Sequence, residues 1–392
     1  MDIRKLGIVG GGAMGAGIVQ VLSYCGYPVH FKDVNDEQVR KCFAQIEKTY
    51  MSAVKKGKLT EEQATQGLSL VTGSAKDEGF EDADLIIEAV PEDVRVKKQV
   101  FHLLEQTCKP DAILATNTSS LSVSQLATFT SRASRVIGMH WFNPPHVMRL
   151  IEVVPGIETS GEVLQGVIDF CGKLDKIPIH VKEGAGFLVN RVLGIYMNEA
   201  LFMFEQEELP ESIDQAALRL GMPMGPLMLG DMVGWDVIYH SNLTLFEEYG
   251  MRFAIPRLLS HMVETGKLGQ KVKNGIYPDR YETAHTEPQQ ADNTRLQVLS
   301  NRLLFAMLNE GIRCLEENVA SAQNIDLALQ LGTGMPRGPI GWADDLGLDV
   351  LLQGLEQLKF QYGERFWPSP LLRRSVLGGY FGKKSGKGLS LK

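Results

Sequence analysis

Long apolar runs are missing from this chain. None approaches the roughly 18 residues a membrane-spanning helix needs, so no membrane insertion is expected. Cysteine is scarce: Cys25, Cys42, Cys108, Cys171 and Cys314 are odd in number, widely spaced and form no CxxC pair. That argues against a disulfide framework or a zinc site and fits a reducing, cytoplasmic compartment. An excess of positive charge is missing too. The formal net charge of −7 gives no whole-chain reason to expect nucleic acid or an acidic membrane surface as partner. A polyanionic substrate would then need a local basic patch. Met1 to Lys5 leads straight into an apolar strand, so no secretory leader is expected.

What is present is an alternation of short apolar runs and helical patterns. Leu6-Gly7-Ile8-Val9 reads as a buried strand, broken by glycines that open an Ala/Val/Leu-rich helix to about Cys25. Val29 to Lys32, Leu85 to Val90, Ile113 to Thr116 and Val136 to Met139 read as further strands, with helical stretches between the first of them. This alternation predicts an α/β, doubly wound, parallel sheet of the Rossmann type. The stretches Arg149 to Val154 and Ile177 to Val181 extend it to about residue 183. A chain of 392 residues exceeds what one core usually serves, so two or three domains are expected.

The remainder is helical in pattern and repeats itself. A shift of 113 residues places Gly221-Met222-Pro223 on Gly334-Met335-Pro336, Gly225-Pro226 on Gly338-Pro339, Asp231 on Asp344 and Gly269 on Gly382. A shift of 111 aligns Asn190-Arg191 with Asn301-Arg302 and Asn198-Glu199 with Asn309-Glu310. Two copies mean a duplicated all-helical domain and not a solenoid. The polar stretch Tyr281 to Asn293 reads as the linker. The expected domains are 1–183, 184–285 and 294–392.

Gly10-x-Gly12-x-x-Gly15 follows the first strand and opens the first helix. Those glycines suit a tight turn, close approach of backbone to a pyrophosphate, and close packing of helix on strand. Asp33, 18 residues beyond Gly15, ends the second strand. A carboxylate there accepts hydrogen bonds from an unmodified ribose and repels a 2′-phosphate, which favours NAD over NADP.

His140 stands where a strand ends, the place where open α/β sheets bind ligands. Alone, it reads most simply as a satisfied core histidine. Glu152 shifts that balance, because it lies in the apolar stretch Leu150-Ile151-Glu152-Val153-Val154, where an unpaired carboxylate is costly. A carboxylate on one ring nitrogen fixes the tautomer and stabilises the imidazolium formed when the other nitrogen takes a proton. The competing reading of Glu152 is a solvated charge on an edge strand. Ser119 and Asn190 are small polar groups suited to a substrate hydroxyl and the carbonyl it becomes. Both also read as caps: Ser119 of the turn after Thr116, Asn190 of a helix junction. Glu92 and Lys97 follow the strand from Leu85, where they face a nicotinamide ribose or begin an exposed helix. Lys55, Lys56 and Lys58 form a basic cluster, either a site for the phosphates of an acidic carrier or a solvated helix face.

With these residues in view, the chain resembles the L-3-hydroxyacyl-CoA dehydrogenases over nearly its whole length. The resemblance rests on Gly10 to Gly15, Glu88-Ala89-Val90 through Lys97, Asn117 to Leu121, His140 to Pro144 and on to Glu152, Gly186-Phe187 through Asn190-Arg191, and Pro223 to Pro226. The duplicated helical unit is most similar to the dehydrogenase part of the alpha subunit of bacterial fatty-acid oxidation complexes, without its hydratase half. The resemblance implies that His140 is the general base and Glu152 its partner, and that Ser119 and Asn190 hold the 3-oxygen. It also implies that Glu92 and Lys97 contact NAD and that Lys55 and Lys56 fall near the CoA phosphates. Two departures stand out: Ala185 where the family usually has proline, and Lys273 where the second copy has Gly386. Asn301 repeats Asn190 with no sheet domain directly before it, a structural echo.

The expected activity is reversible, NAD-dependent oxidation of an L-3-hydroxyacyl-CoA to the 3-oxoacyl-CoA, in β-oxidation or a related pathway. The site is expected in the cleft between the sheet domain and the first helical copy. A monomer or weak homodimer is expected: if one-copy relatives pair through their helical domains, the second copy would supply that contact within one chain; docking to a thiolase or hydratase is compatible with this. Rival readings are a non-catalytic structural or scaffolding relative and a Rossmann dehydrogenase acting on a non-CoA hydroxy acid. The presence of His140, Glu152 and Asp33 disfavours the first. The second kind commonly relies on a catalytic lysine, where this chain offers a His–Glu pair.

Overall fold

A computed structural model of the chain describes residues 1–278 and 292–391. It divides into two compact units, Met1–Glu183 and Gly184–Lys392. In the first, the strands are β1 (Leu6–Val9), β2 (Val29–Lys32), β3 (Val71–Ser74), β4 (Leu85–Glu88), β5 (Ile113–Thr116), β6 (Val136–Trp141), β7 (Leu150–Pro155) and β8 (Ile177–His180). The helices are α1 (Ala13–Tyr24), α2 (Asp36–Lys55), α3 (Glu61–Ser69), α4 (Val94–Thr107), α5 (Val123–Ala127) and α6 (Gly161–Lys173). The sheet order is β3-β2-β1-β4-β5-β6-β7-β8. β1, β4, β5 and β6 are buried along their whole length, which is why they read as unbroken apolar runs.

The sheet is parallel from β3 to β6, and then β7 runs antiparallel to β6 before β8 pairs parallel with β7. The sequence predicted a parallel sheet throughout. The reversal has a simple cause: only residues 142–149 join β6 to β7, too few for the crossover a parallel pair requires. β3 was not foreseen. It is an edge strand of Val71, Thr72, Gly73 and Ser74, without an apolar run to mark it.

The second unit carries α7 (Val189–Glu205), α8 (Pro210–Arg219), α9 (Pro226–Val233), α10 (Trp235–Tyr249) and α11 (Arg257–Glu264). The same order then recurs in α12 (Asn293–Glu316), α13 (Ala322–Thr333), α14 (Pro339–Leu346), α15 (Leu348–Tyr362) and α16 (Pro370–Leu377). Of the predicted linker, residues 281–291 lie outside the described residues, and Asn293 already begins α12, capped by Asp292.

The two copies pack on each other reciprocally. Arg191 of α7 donates to Glu310 of α12 at 2.7 Å, and Arg302 of α12 pairs with Glu199 of α7. All four side chains are buried. Gly221 lies against Pro336, and Gly334 against Pro223, so the two Gly-Met-Pro turns also exchange contacts. Within each copy a buried aspartate closes the far loop. Asp231 accepts from the backbone N–H of Ile276 and Tyr277, and Asp344 from those of Leu389 and Ser390. At one matching position both copies are left-handed but the residue differs: Lys273 (φ 53°) in the first and Gly386 (φ 69°) in the second.

Candidate active site

The glycine loop is built by close contacts. A side chain at Gly15 would place its Cβ 1.8 Å from the Gly10 carbonyl oxygen, and Gly10 itself has φ +102° with its Cβ position against Ala89. At Gly12 the corresponding position meets no protein atom within 4 Å. Gly12 caps α1 without a side-chain hydrogen bond, so the first N–H groups of that helix face the same open space. A cradle with no Cβ in the way and unpaired N–H donors fits a dinucleotide pyrophosphate. Asp33 accepts from the Gly11 N–H at 2.8 Å and from the Val34 N–H at 2.7 Å, which fixes its carboxylate beside the loop.

His140 and Glu152 are direct cross-strand partners on antiparallel β6 and β7. Directly opposed side chains in such a pair share a face of the sheet. The His140 Nδ1 lies 2.7 Å from Glu152 Oε2, and both groups are buried. β7 sits between β6 and β8, so the reading of Glu152 as a solvated charge on an edge strand fails. Phe142 lies beside the imidazole, with ring centroids 4.6 Å apart.

Ser119 lies in the turn after β5, and that turn is tied down from two sides. The Asn117 side chain accepts from the backbone N–H of Trp141, next to His140, at 2.9 Å. Glu92 accepts from the N–H groups of Ser119 and Ser120 at 3.1 Å each, from the Ser120 hydroxyl at 3.0 Å and from the Thr118 hydroxyl. Burial pushes the Glu92 pKa up, but the Lys97 ammonium and these hydroxyls outweigh it and hold the carboxyl below its usual range. Lys97 is no exposed helix residue: its side chain is 1% exposed and bonded to Glu88.

The basic cluster continues beyond α2. His146, in the segment joining β6 to β7, has its pKa lowered first by burial and then by the positive charges of Lys176, Lys56 and Lys58. Lys176 is buried and donates to the carbonyls of Pro145 and Met148 at 2.6 and 2.8 Å, which pins that segment. Neither His146 nor Lys176 was singled out in the sequence, since nothing local marks a lysine that bonds carbonyls some thirty residues away. In the second unit, Asn190 is partly exposed on α7, while its echo Asn301 accepts from Gln297 at 2.8 Å.

This is the architecture of a dinucleotide-dependent dehydrogenase, a Rossmann-type sheet unit followed by a helical unit. The chain matches the 3-hydroxyacyl-CoA dehydrogenase NAD-binding domain over residues 5–184, and the C-terminal domain of the same family over 186–279 and 299–391. It belongs to the 3-hydroxyacyl-CoA dehydrogenase family of NAD-dependent oxidoreductases. It is 34% identical, over 95% of its length, to the fatty acid oxidation complex subunit alpha of Shewanella sp. (strain MR-4). It spans 55% of that protein, about half the length of the curated relatives it matches. Among solved structures it is similar to 3-hydroxybutyryl-CoA dehydrogenase from Escherichia coli, with a TM-score of 0.89 and 30% identity, covering 96% of this chain and 99% of that one. The (S)-3-hydroxybutyryl-CoA dehydrogenase from Ralstonia eutropha is 37% identical, with a TM-score of 0.68, and covers 70% of this chain and 99% of its own.

Proposed function

We propose that this chain catalyses the reversible oxidation of an L-3-hydroxyacyl-CoA to the 3-oxoacyl-CoA. The observation that carries the reading is the buried, cross-strand His140–Glu152 pair in a chain of this family. Bound NAD supplies the acceptor for the hydride that leaves C3. His140 Nε2 takes the proton of the C3 hydroxyl as the C–O bond becomes a carbonyl, and Nδ1–H donates to Glu152, whose negative charge stabilises the imidazolium. In the reverse direction the same nitrogen returns the proton. Ser119 and Asn190 are assigned the hydrogen bonds to the 3-oxygen. Gly10, Gly12, Gly15 and Asp33 would hold the cofactor and Glu92 would contact it, with Lys97, also expected as a cofactor contact, buried behind Glu92 at 3.2 Å. Lys55 and Lys56, with the charge near His146, receive the phosphates of CoA.

The reciprocal packing of the two helical copies supports a monomer or weak dimer, because the apolar and charged faces of α7 and α12 cover each other within one chain. The cytoplasm is the proposed location, supported by five free cysteines and by the absence, among the described residues, of any helix long and apolar enough to cross a membrane. Docking to a thiolase or a hydratase belongs to the same reading, since the longer relatives are named as subunits of a complex.

The test compares NADH oxidation with acetoacetyl-CoA and with free acetoacetate at neutral pH. Turnover of the thioester at least tenfold above the free acid is expected. Equal turnover of both would remove CoA from the assignment.

A further inference from the structure

Behind the Ser119 turn lies a chain of buried charge that the assigned roles leave unexplained. Glu88, at the end of β4, is fully buried. Its carboxylate accepts four hydrogen bonds: two from Lys97 Nζ at 2.8 and 2.9 Å, one from the Thr116 hydroxyl at 2.6 Å and one from the Val90 N–H at 2.8 Å. Lys97 Nζ then reaches Glu92 at 3.2 Å. Thr116 Oγ1 accepts in turn from the Thr118 N–H at 3.2 Å, and Thr118 Oγ1 from the Leu121 N–H at 3.0 Å. Two routes therefore run from one carboxylate to one turn. The first passes through Lys97 and Glu92 to the N–H groups of Ser119 and Ser120, the second through Thr116 to Thr118.

A fully buried carboxylate and ammonium are expensive to desolvate, and a hydrophobic filling of the same volume is often as stable or more so. What the charged version adds is direction. Carboxylate oxygens accept preferentially along their lone pairs, so three donor groups on Glu88 and five on Glu92 leave the turn few ways to sit. We propose that Glu88 is a positioning residue for the dehydrogenase reaction: through Lys97 and Glu92, and through Thr116, it sets the turn that presents Ser119 to the substrate oxygen. This rests on the role proposed above for Ser119. Glu88 touches neither substrate nor cofactor in this scheme. Lys97 is the pivot, since its single ammonium holds the buried carboxylate on one side and the one-third exposed Glu92 carboxylate on the other.

The experiment is a double-substitution cycle on the full chain, using Glu88→Gln, Ser119→Ala and the pair together. Activity is read with acetoacetyl-CoA and NADH, NADH affinity by fluorescence, and turn order by amide hydrogen exchange at Ser119 and Ser120 without substrate. Glu88→Gln should lower kcat/KM by about tenfold to a hundredfold, the scale of a small misplacement of a reacting group. In the Ser119→Ala background the same change should cost less than about threefold, because both act through one hydroxyl. Exchange at the two amides should quicken, and NADH affinity should stay within about threefold. A merely structural role would lower stability and activity alike in both backgrounds. Equal losses in both backgrounds, a loss wholly in NADH affinity, or unchanged amide exchange would overturn the proposal. Should Glu88→Gln fail to fold, Thr116→Val, which removes one donor from Glu88 at a residue with no assigned contact to cofactor or substrate, serves the same cycle with the same expected coupling and the same amide readout. A fully active Ser119→Ala enzyme would instead sink the role of Ser119, and amide exchange would still decide whether Glu88 sets the turn.

Discussion

Buried charge appears in both units of this molecule, and the two uses differ. In the helical unit, Arg191–Glu310 and Arg302–Glu199 occur twice, once for each copy, and join α7 to α12. In the sheet unit, His140–Glu152 occurs once, at the end of β6, with no counterpart in the internal repeat. A structural pair is copied when its domain is copied. A pair that serves chemistry needs its strand end, its cofactor loop and its turn, and these were not duplicated. The pairs also differ in kind. A guanidinium has no acceptor and keeps its protons, whereas an imidazole nitrogen can take a proton from a substrate and give it back.

Substitutions that remove one charge from each pair should therefore separate turnover from stability. Glu152→Gln should cut turnover by roughly 10²–10⁴, since the imidazolium loses its counter-charge, with the thermal midpoint little changed. Steady-state rates and a melting curve on one preparation check this. Glu310→Gln should do the reverse. It leaves Arg191 with the half-exposed Glu317 as counter-charge and should cost about 3 kcal/mol of stability in a denaturant titration, while the folded fraction keeps its turnover. Comparable activity loss from both substitutions would erase the distinction.

A smaller effect is expected at the cofactor loop. Asp33→Asn removes the negative charge and keeps an oxygen for only one of the Gly11 and Val34 N–H groups, which donate to different carboxylate oxygens, so the preference for NADH over NADPH should fall by about tenfold. The ratio of kcat/KM for the two cofactors measures it. The smallest effect sharpens the comparison of the two helical copies. Lys273→Gly gives the first copy the residue the second has at Gly386 and relieves a left-handed backbone, for a gain of about 1 kcal/mol in unfolding free energy.

Much of this was legible in the sequence because burial on both faces leaves an unbroken apolar run, as in β1, β4 and β5. Polar, glycine-containing β3 gave no such signal. The direction of β7 followed from eight connecting residues (142–149), a length visible in the sequence but outweighed by the parallel pattern before it. The repeat was readable from its spacing, but not which faces of the copies meet, because Arg191 and Glu310 stand 119 residues apart. The same holds at the site. Glycines, His140 and Glu152 announce themselves by residue type and surroundings. Glu88 and Thr116 look like ordinary strand-end residues until the sheet register brings them side by side, and Lys97, which the sequence marks as a candidate, gives no sign there that it bonds Glu88.

The most direct measurement is turnover per folded molecule of His140→Gln against the parent chain, with acetoacetyl-CoA and NADH at neutral pH. A folded, NADH-binding variant slowed by at least about a hundredfold is the predicted result. A variant that folds, binds NADH and retains most of its turnover would contradict the assignment of the buried pair to the chemistry.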